Sequence, residues 1–214
     1  MATLGDLVTV LYRPRQTMRR VLDGRDRWAP QVVALAFICA SVNDADIRNL
    51  QAVLPGLGYS WIAIVLLGLI AGAVAWVLTL FVLSWIATFA GWKLGGVAGP
   101  KDVRAALAWG MVPVIWSVAY RLPIGLLARR FQVSSNVDVT AVLLDFLAQG
   151  GCSIVVVYLA FQLVFAIWCI WVASGCLGEA QQFSSAKGFA NVAITLAVPL
   201  VIAAAAVAAQ HMGM

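Results

Sequence analysis

The sequence is poor in charge. Only 11% of its 214 residues are Asp, Glu, Lys or Arg, against roughly a quarter in an average soluble domain. The hydrophobic share is 63% and the mean hydropathy +0.96. Together these figures exclude a disordered chain, and 23 charged side chains cannot clothe a water-soluble globule of this size. Histidine is nearly missing. His211 stands alone near the end, so no Cys/His zinc pattern can be drawn. Cysteines are few and lack short paired spacing: Cys39, Cys152, Cys169 and Cys176 read as small buried apolar residues. Cys169 and Cys176 lie two helical turns apart, about 10 Å, too far for a disulfide.

Catalytic patterns are missing as well. There is no nucleophile elbow, no His-Glu-x-x-His and no carboxylate pair at helical spacing with a histidine. Residues 93–104 are rich in glycine, but the Gly-Lys-Ser/Thr ending of a phosphate loop is absent. No cofactor, no metal and no enzymatic role are expected. Ser153 and Ser174 read as helix–helix hydrogen-bonders, and Trp168 and Trp171 as an interfacial belt.

What the chain has is long uncharged runs. Asn49 to Trp92 holds 44 residues without a charge, Phe146 to Gly178 holds 33, and Gly188 to Met214 holds 27. About 20 apolar residues cross a bilayer core as a helix, so each run can hold a span. The expected fold is all-α: a polytopic transmembrane bundle of five spans, at about 29–47, 61–92, 105–127, 153–175 and 188–209. Pro113 and Pro123 bend the third span. Residues 139–149 read as a re-entrant or interfacial piece ended by Gly150-Gly151. Gly68 and Gly72 form a GxxxG pair, a candidate helix-packing face that lets two helices approach closely.

Residues 1–28 read as a cytoplasmic, interfacial segment. Met18, Val21 and Leu22 form an apolar stripe opposed by arginines, so the short helix is expected to lie in the headgroup plane. The alternative is a cap on the helix bundle. Arg13, Arg15, Arg19 and Arg20 are the candidate contacts to anionic headgroups. Tyr12 is the one aromatic among them, so nucleic acid is not an expected partner. No cleavable signal is expected, because the apolar stretch from Leu7 to Tyr12 is short and precedes the arginines. With the N-terminus inside, the cytoplasmic segments carry ten Lys and Arg residues and the other side four, which favours an outside C-terminus.

A few charges fall on that other side. Asn43, Asp44 and Asp46 end the first span, Arg121 ends the third, and Asp145 precedes the fourth. A charge near hydrocarbon is costly unless paired or wetted, so these five residues form a candidate polar pocket for a headgroup or a proton. The plainer reading is a set of interfacial charges snorkelling to water, and it is favoured because all lie near a span boundary.

The order of features resembles a known family. A Pro-x-x-Thr element (Pro14, Thr17) leads into five spans. A Gly-Gly loop (Gly95, Gly96) precedes an alanine-rich helix ending in proline (Ala105, Ala106, Ala108, Pro113). Phe183-Ser184-x-Ala186-Lys187 precedes an alanine-rich last span. From about Val10 to Ala209 the chain resembles the Yip domain family, the Ypt-interacting type of five-span membrane protein. The resemblance implies a cytoplasmic N-terminus and a five-helix bundle. Eukaryotic relatives act in early secretory and Golgi membrane traffic, contact Rab-type GTPases and carry a long cytoplasmic N-terminal region before their spans. This chain is more similar to short bacterial members, so GTPase binding is not expected. Eleven arginines against three lysines agree with a GC-rich bacterial genome. The expected function is that of a membrane-organising or partner-binding protein of the bacterial cytoplasmic membrane, with lipids, a second copy or another membrane protein as partners. The alternative is a small-molecule, ion or lipid transporter or scramblase using the polar pocket.

Overall fold

The structure, a computed structural model, describes residues 3–24, 28–41, 61–128 and 151–212. The expected polar end of the first span, with Asn43, Asp44 and Asp46, lies outside the described residues. So does the 139–149 piece with Asp145. Among the described residues all regular structure is helical. In hydrocarbon every backbone donor and acceptor must be satisfied within the chain, and an uncharged run of Leu, Val, Ile and Ala does this by coiling into a helix.

Two short helices come first, α1 (Asp6–Thr9) and α2 (Pro14–Asp23). Pro14 sits in the first turn of α2, where its missing N–H is no loss. α3 (Ala29–Ser41) follows. α4 (Trp61–Val77) continues through a π-helical turn, Leu78–Leu83, into α5 (Ser84–Lys93). The next helical stretch is α6 (Pro100–Gly110), α7 (Val112–Trp116) and α8 (Val118–Ala128), with turns at Met111 and Ser117. α9 (Gly151–Ala180) and α10 (Ser185–Met212) complete the bundle.

Four helical stretches are long and apolar enough to cross a membrane: Val65–Lys93, Pro100–Pro123, Val156–Ala180 and Ser185–Ile202. The described part of the expected first span is shorter. Its 13 residues rise about 20 Å, less than the roughly 30 Å hydrocarbon core. Helix ends also move outward from the expected bounds. The expected third span starts at Pro100, where proline and Asp102 suit a helix N-terminus. α9 runs on to Ala180 because Cys176, Leu177 and Ala180 are buried against neighbouring elements. α10 starts at Ser185, and Ser184 Oγ accepts from Lys187 N at 3.4 Å as its cap.

The core centres on α6. Trp109, Ala106 and Val103 are fully buried, packed with Met18 and Val21 of α2 and with Val172 and Leu177 of α9. Gly110 lets α6 and α9 close up: a Cβ there would stand 2.8 Å from the Ala173 methyl. Gly68 and Gly72 do the same between α4 and α3, where they face Ile38 and Ala34. The GxxxG face is therefore used within the chain. Outward faces are apolar, with Ile70 64%, Leu163 62% and Leu200 68% exposed. Exposed apolar surface on that scale belongs against lipid.

Candidate functional site

Three segments far apart in sequence meet at one end of the bundle. They are α1–α2, the loop at residues 94–99 and the turn at residues 181–184. Gln181 is the centre of this junction. Its side chain is fully buried, and its Oε1 accepts from Ala98 N at 3.2 Å. Gly91 and Gly96 give the amide its space, since a Cβ at either would collide with it. Lys187 Nζ donates to Leu94 O at 2.9 Å from the next helix. Gly95 turns the loop with φ +89°, a left-handed conformation that suits glycine. Asn191, also fully buried, ties α10 to α5 by donating from Nδ2 to Ala87 O at 3.0 Å.

The N-terminal helices are strapped onto this end. The apolar stripe of α2, expected to face lipid, packs on protein: Met18 and Val21 are fully buried against α6 and α9. The cap arrangement describes these side chains. Trp168 Nε1 donates to Leu11 O at 3.0 Å, so Trp168 holds the strap, whereas Trp171 stays half-exposed. Trp116 Nε1 reaches Leu7 O at 3.3 Å.

The four candidate headgroup arginines separate into different roles. Arg15 donates from Nη2 to the Phe183 carbonyl. Arg19 pairs with Glu179 at 2.7 Å. The hydrogen bond to Glu179 and its charge raise the Arg19 pKa above its ordinary value. Arg20 Nη2 lies 3.2 Å from Asp6, whose other oxygen accepts from Thr3 N at 2.8 Å. Arg13 is exposed and has no ion-pair partner among the described residues.

At the far end, Arg121 is half-buried between helices. It donates to Ala40 O at 3.0 Å and reaches Gln162 Oε1 at 3.5 Å. Gln162 in turn donates to Tyr158 Oη at 2.7 Å. Tyr120 stacks on Phe161 beside them, with centroids 5.2 Å apart. Of the expected pocket only Arg121 is among the described residues. The sequence reading missed Gln162, although it is the one amide side chain between Gly151 and Ala180. Gln181 and Asn191 were missed too. The hydroxyl of Ser174 bonds within its own helix, to Ile170 O at 2.6 Å, rather than across to another.

A family model described as the Yip1 domain matches residues 8–207, nearly the whole chain. The chain belongs to the Yip1 domain family. No curated protein and no solved structure matches. In this Yip1 chain several of the motif residues meet at the strapped end. Pro14 packs on Gly175, where a Cβ would stand 2.6 Å from the proline ring. Thr17 is fully buried and donates to Thr9 Oγ1 at 3.0 Å. Gly95, Gly96, Phe183 and Lys187 build the junction around Gln181. The short motifs along the chain are thus parts of one assembled structure.

Proposed function

We propose that this Yip1-domain chain is a non-enzymatic, five-span protein of the bacterial cytoplasmic membrane that organises the membrane or binds partner membrane proteins. The observation that carries the reading is how the polar side chains are spent. Gln181, Asn191, Lys187 and Arg15 each bond a main-chain group of another segment, and Glu179 is taken by Arg19. They tie helices together and leave broad apolar faces outward. Eight of the nine described Lys and Arg residues lie at the strapped end and Arg121 at the other. This asymmetry supports an inside N-terminus and an outside C-terminus. Crosslinking in native membranes is expected to capture a second copy or another membrane protein. A monodisperse monomer with no captured partner argues against the reading. Cysteine labelling at Gly99→Cys from either face checks the orientation.

A second reading rests on Arg121. Its half-buried cation, held by Ala40 O and Gln162, belongs to a polar cluster near the far boundary. Such a cluster supports transport of an ion, small molecule or lipid. In proteoliposomes, flux or scrambling that falls in Arg121→Gln favours this reading, and equal rates with and without protein count against it.

A further inference from the structure

An open groove of about 920 Å³ lies between α2, α9 and the start of α10. That volume is in the range of ligand sites, roughly 300–1,000 Å³. Its two ends differ in chemistry. The mouth carries Arg13, Arg15 and Gln16, and no carboxylate is among its lining residues. The walls are apolar, with Ile167, Ile170 and Trp171 on α9 facing Phe189 on α10. Ile167 is 58% and Phe189 56% exposed, so the groove opens sideways on the surface that faces lipid.

Neither cation at the mouth is neutralised by a carboxylate among the described residues. Glu179, the nearest carboxylate in sequence to the α9 wall, is engaged by Arg19 outside the groove. Arg15 uses Nη2 on Phe183 O, and its buried Nε has no hydrogen-bond partner among the described residues. Arg13 carries no ion pair among them. Ser174 turns its hydroxyl to Ile170 O, so the floor offers little polarity. From Ser174 to Ile167 the wall descends about 10 Å into the span. A cationic mouth over an apolar slot at this depth matches a molecule with an anionic head and a hydrocarbon tail.

We infer that this groove binds one anionic glycerophospholipid, its phosphate between Arg13 and Arg15 and the upper part of one acyl chain along Ile170, Trp171 and Phe189. The occupant bridges the N-terminal strap and the last two spans. Bound lipid therefore holds α2 in place, and the site requires no protein partner.

Native mass spectrometry of the full chain, with dioleoyl phosphatidylglycerol or phosphatidylcholine added, tests this. One phosphatidylglycerol is expected to be retained in preference to phosphatidylcholine. Arg13→Gln is expected to weaken that retention about five-fold, the weight of one arginine near an anionic surface. Ile167→Trp, which fills the slot from its exposed side, is expected to lower retention while leaving the melting profile of the lipid-free protein unchanged. Brominated phosphatidylglycerol is expected to quench the wild-type protein more than Trp171→Phe. Equal retention of both lipids, or unchanged retention in Arg13→Gln, overturns the inference. So does displacement of the lipid by glycerol phosphate alone, which means that the mouth binds a free anion. Crosslinking of a protein segment rather than lipid to Ser185→Cys overturns it as well.

Discussion

Gln181 and Ala98 are joined by a hydrogen bond of 3.2 Å across 83 residues, from a loop N–H to a fully buried side-chain oxygen. The bond fixes the 94–99 loop to the end of α9. Gln181 Nε2 has no hydrogen-bond partner among the described residues, so part of the gain is offset by a desolvated donor. Gln181→Met keeps the volume and is expected to cost about 1 kcal/mol. Gln181→Ala also opens a cavity, and about 3 kcal/mol is expected. Thermal unfolding of both variants in one detergent checks the order.

Gly110 is the contact point of α6 and α9. A side chain there must push Ala173 away, and two packed spans do not part easily. Gly110→Leu is expected to destabilise by about 1–3 kcal/mol through overpacking. Gly99→Ala is the control, because a Cβ there meets nothing within 4 Å. It is expected to stay within about 0.5 kcal/mol of the parent.

The strap is held by Arg15 on Phe183 O and by Trp168 on Leu11 O. Trp168→Phe retains the ring contact and loses the donor, at about 1 kcal/mol. Hydrogen exchange is the sensitive measurement. Amides of residues 6–23 are expected to exchange faster in Trp168→Phe and in Arg15→Ala, while those of α6 stay protected. Uniform loss of protection means that strap and bundle open together.

Arg19 and Glu179 pair at the surface, and exposed pairs contribute little. Glu179→Gln is expected to shift the melting midpoint only slightly, and added salt is expected to erase the difference. The pH dependence follows from the raised pKa of Arg19. A raised folded-state pKa leaves the contribution of that group complete throughout the range in which a free arginine is protonated, with loss only at still higher pH. Between pH 6 and 9 the arginine side is therefore expected to add no slope to a stability profile.

The helices were legible because their signal is local. An uncharged stretch such as Gly188–Ala209 has one stable form in lipid, whatever its neighbours. The extended ends were less legible. Residues 176–180 contain Glu179 and two small residues and read as a loop, yet burial of Cys176 and Leu177 keeps them helical. The site was least legible. Arg121 stood out as a charge, but Gln162 and Ala40 O, which hold it, lie on other helices. Gln181 and Asn191 carry no charge and fit no motif, so only their burial marks them.

By itself the sequence determined the solvent of this protein, its helical class and its basic first segment. Each depends on hydrophobicity summed along a run, and the bilayer reads that sum directly. The tertiary structure decided what the polar side chains do. It turned the stripe of α2 onto α6 and α9 instead of lipid, and it spent Gln181, Lys187 and Arg15 on distant main-chain groups. It also left Arg13 free of an ion pair among the described residues, above an apolar groove. The reason is physical. A polar group near a membrane must find a partner, and which partner is within reach depends on how the helices pack.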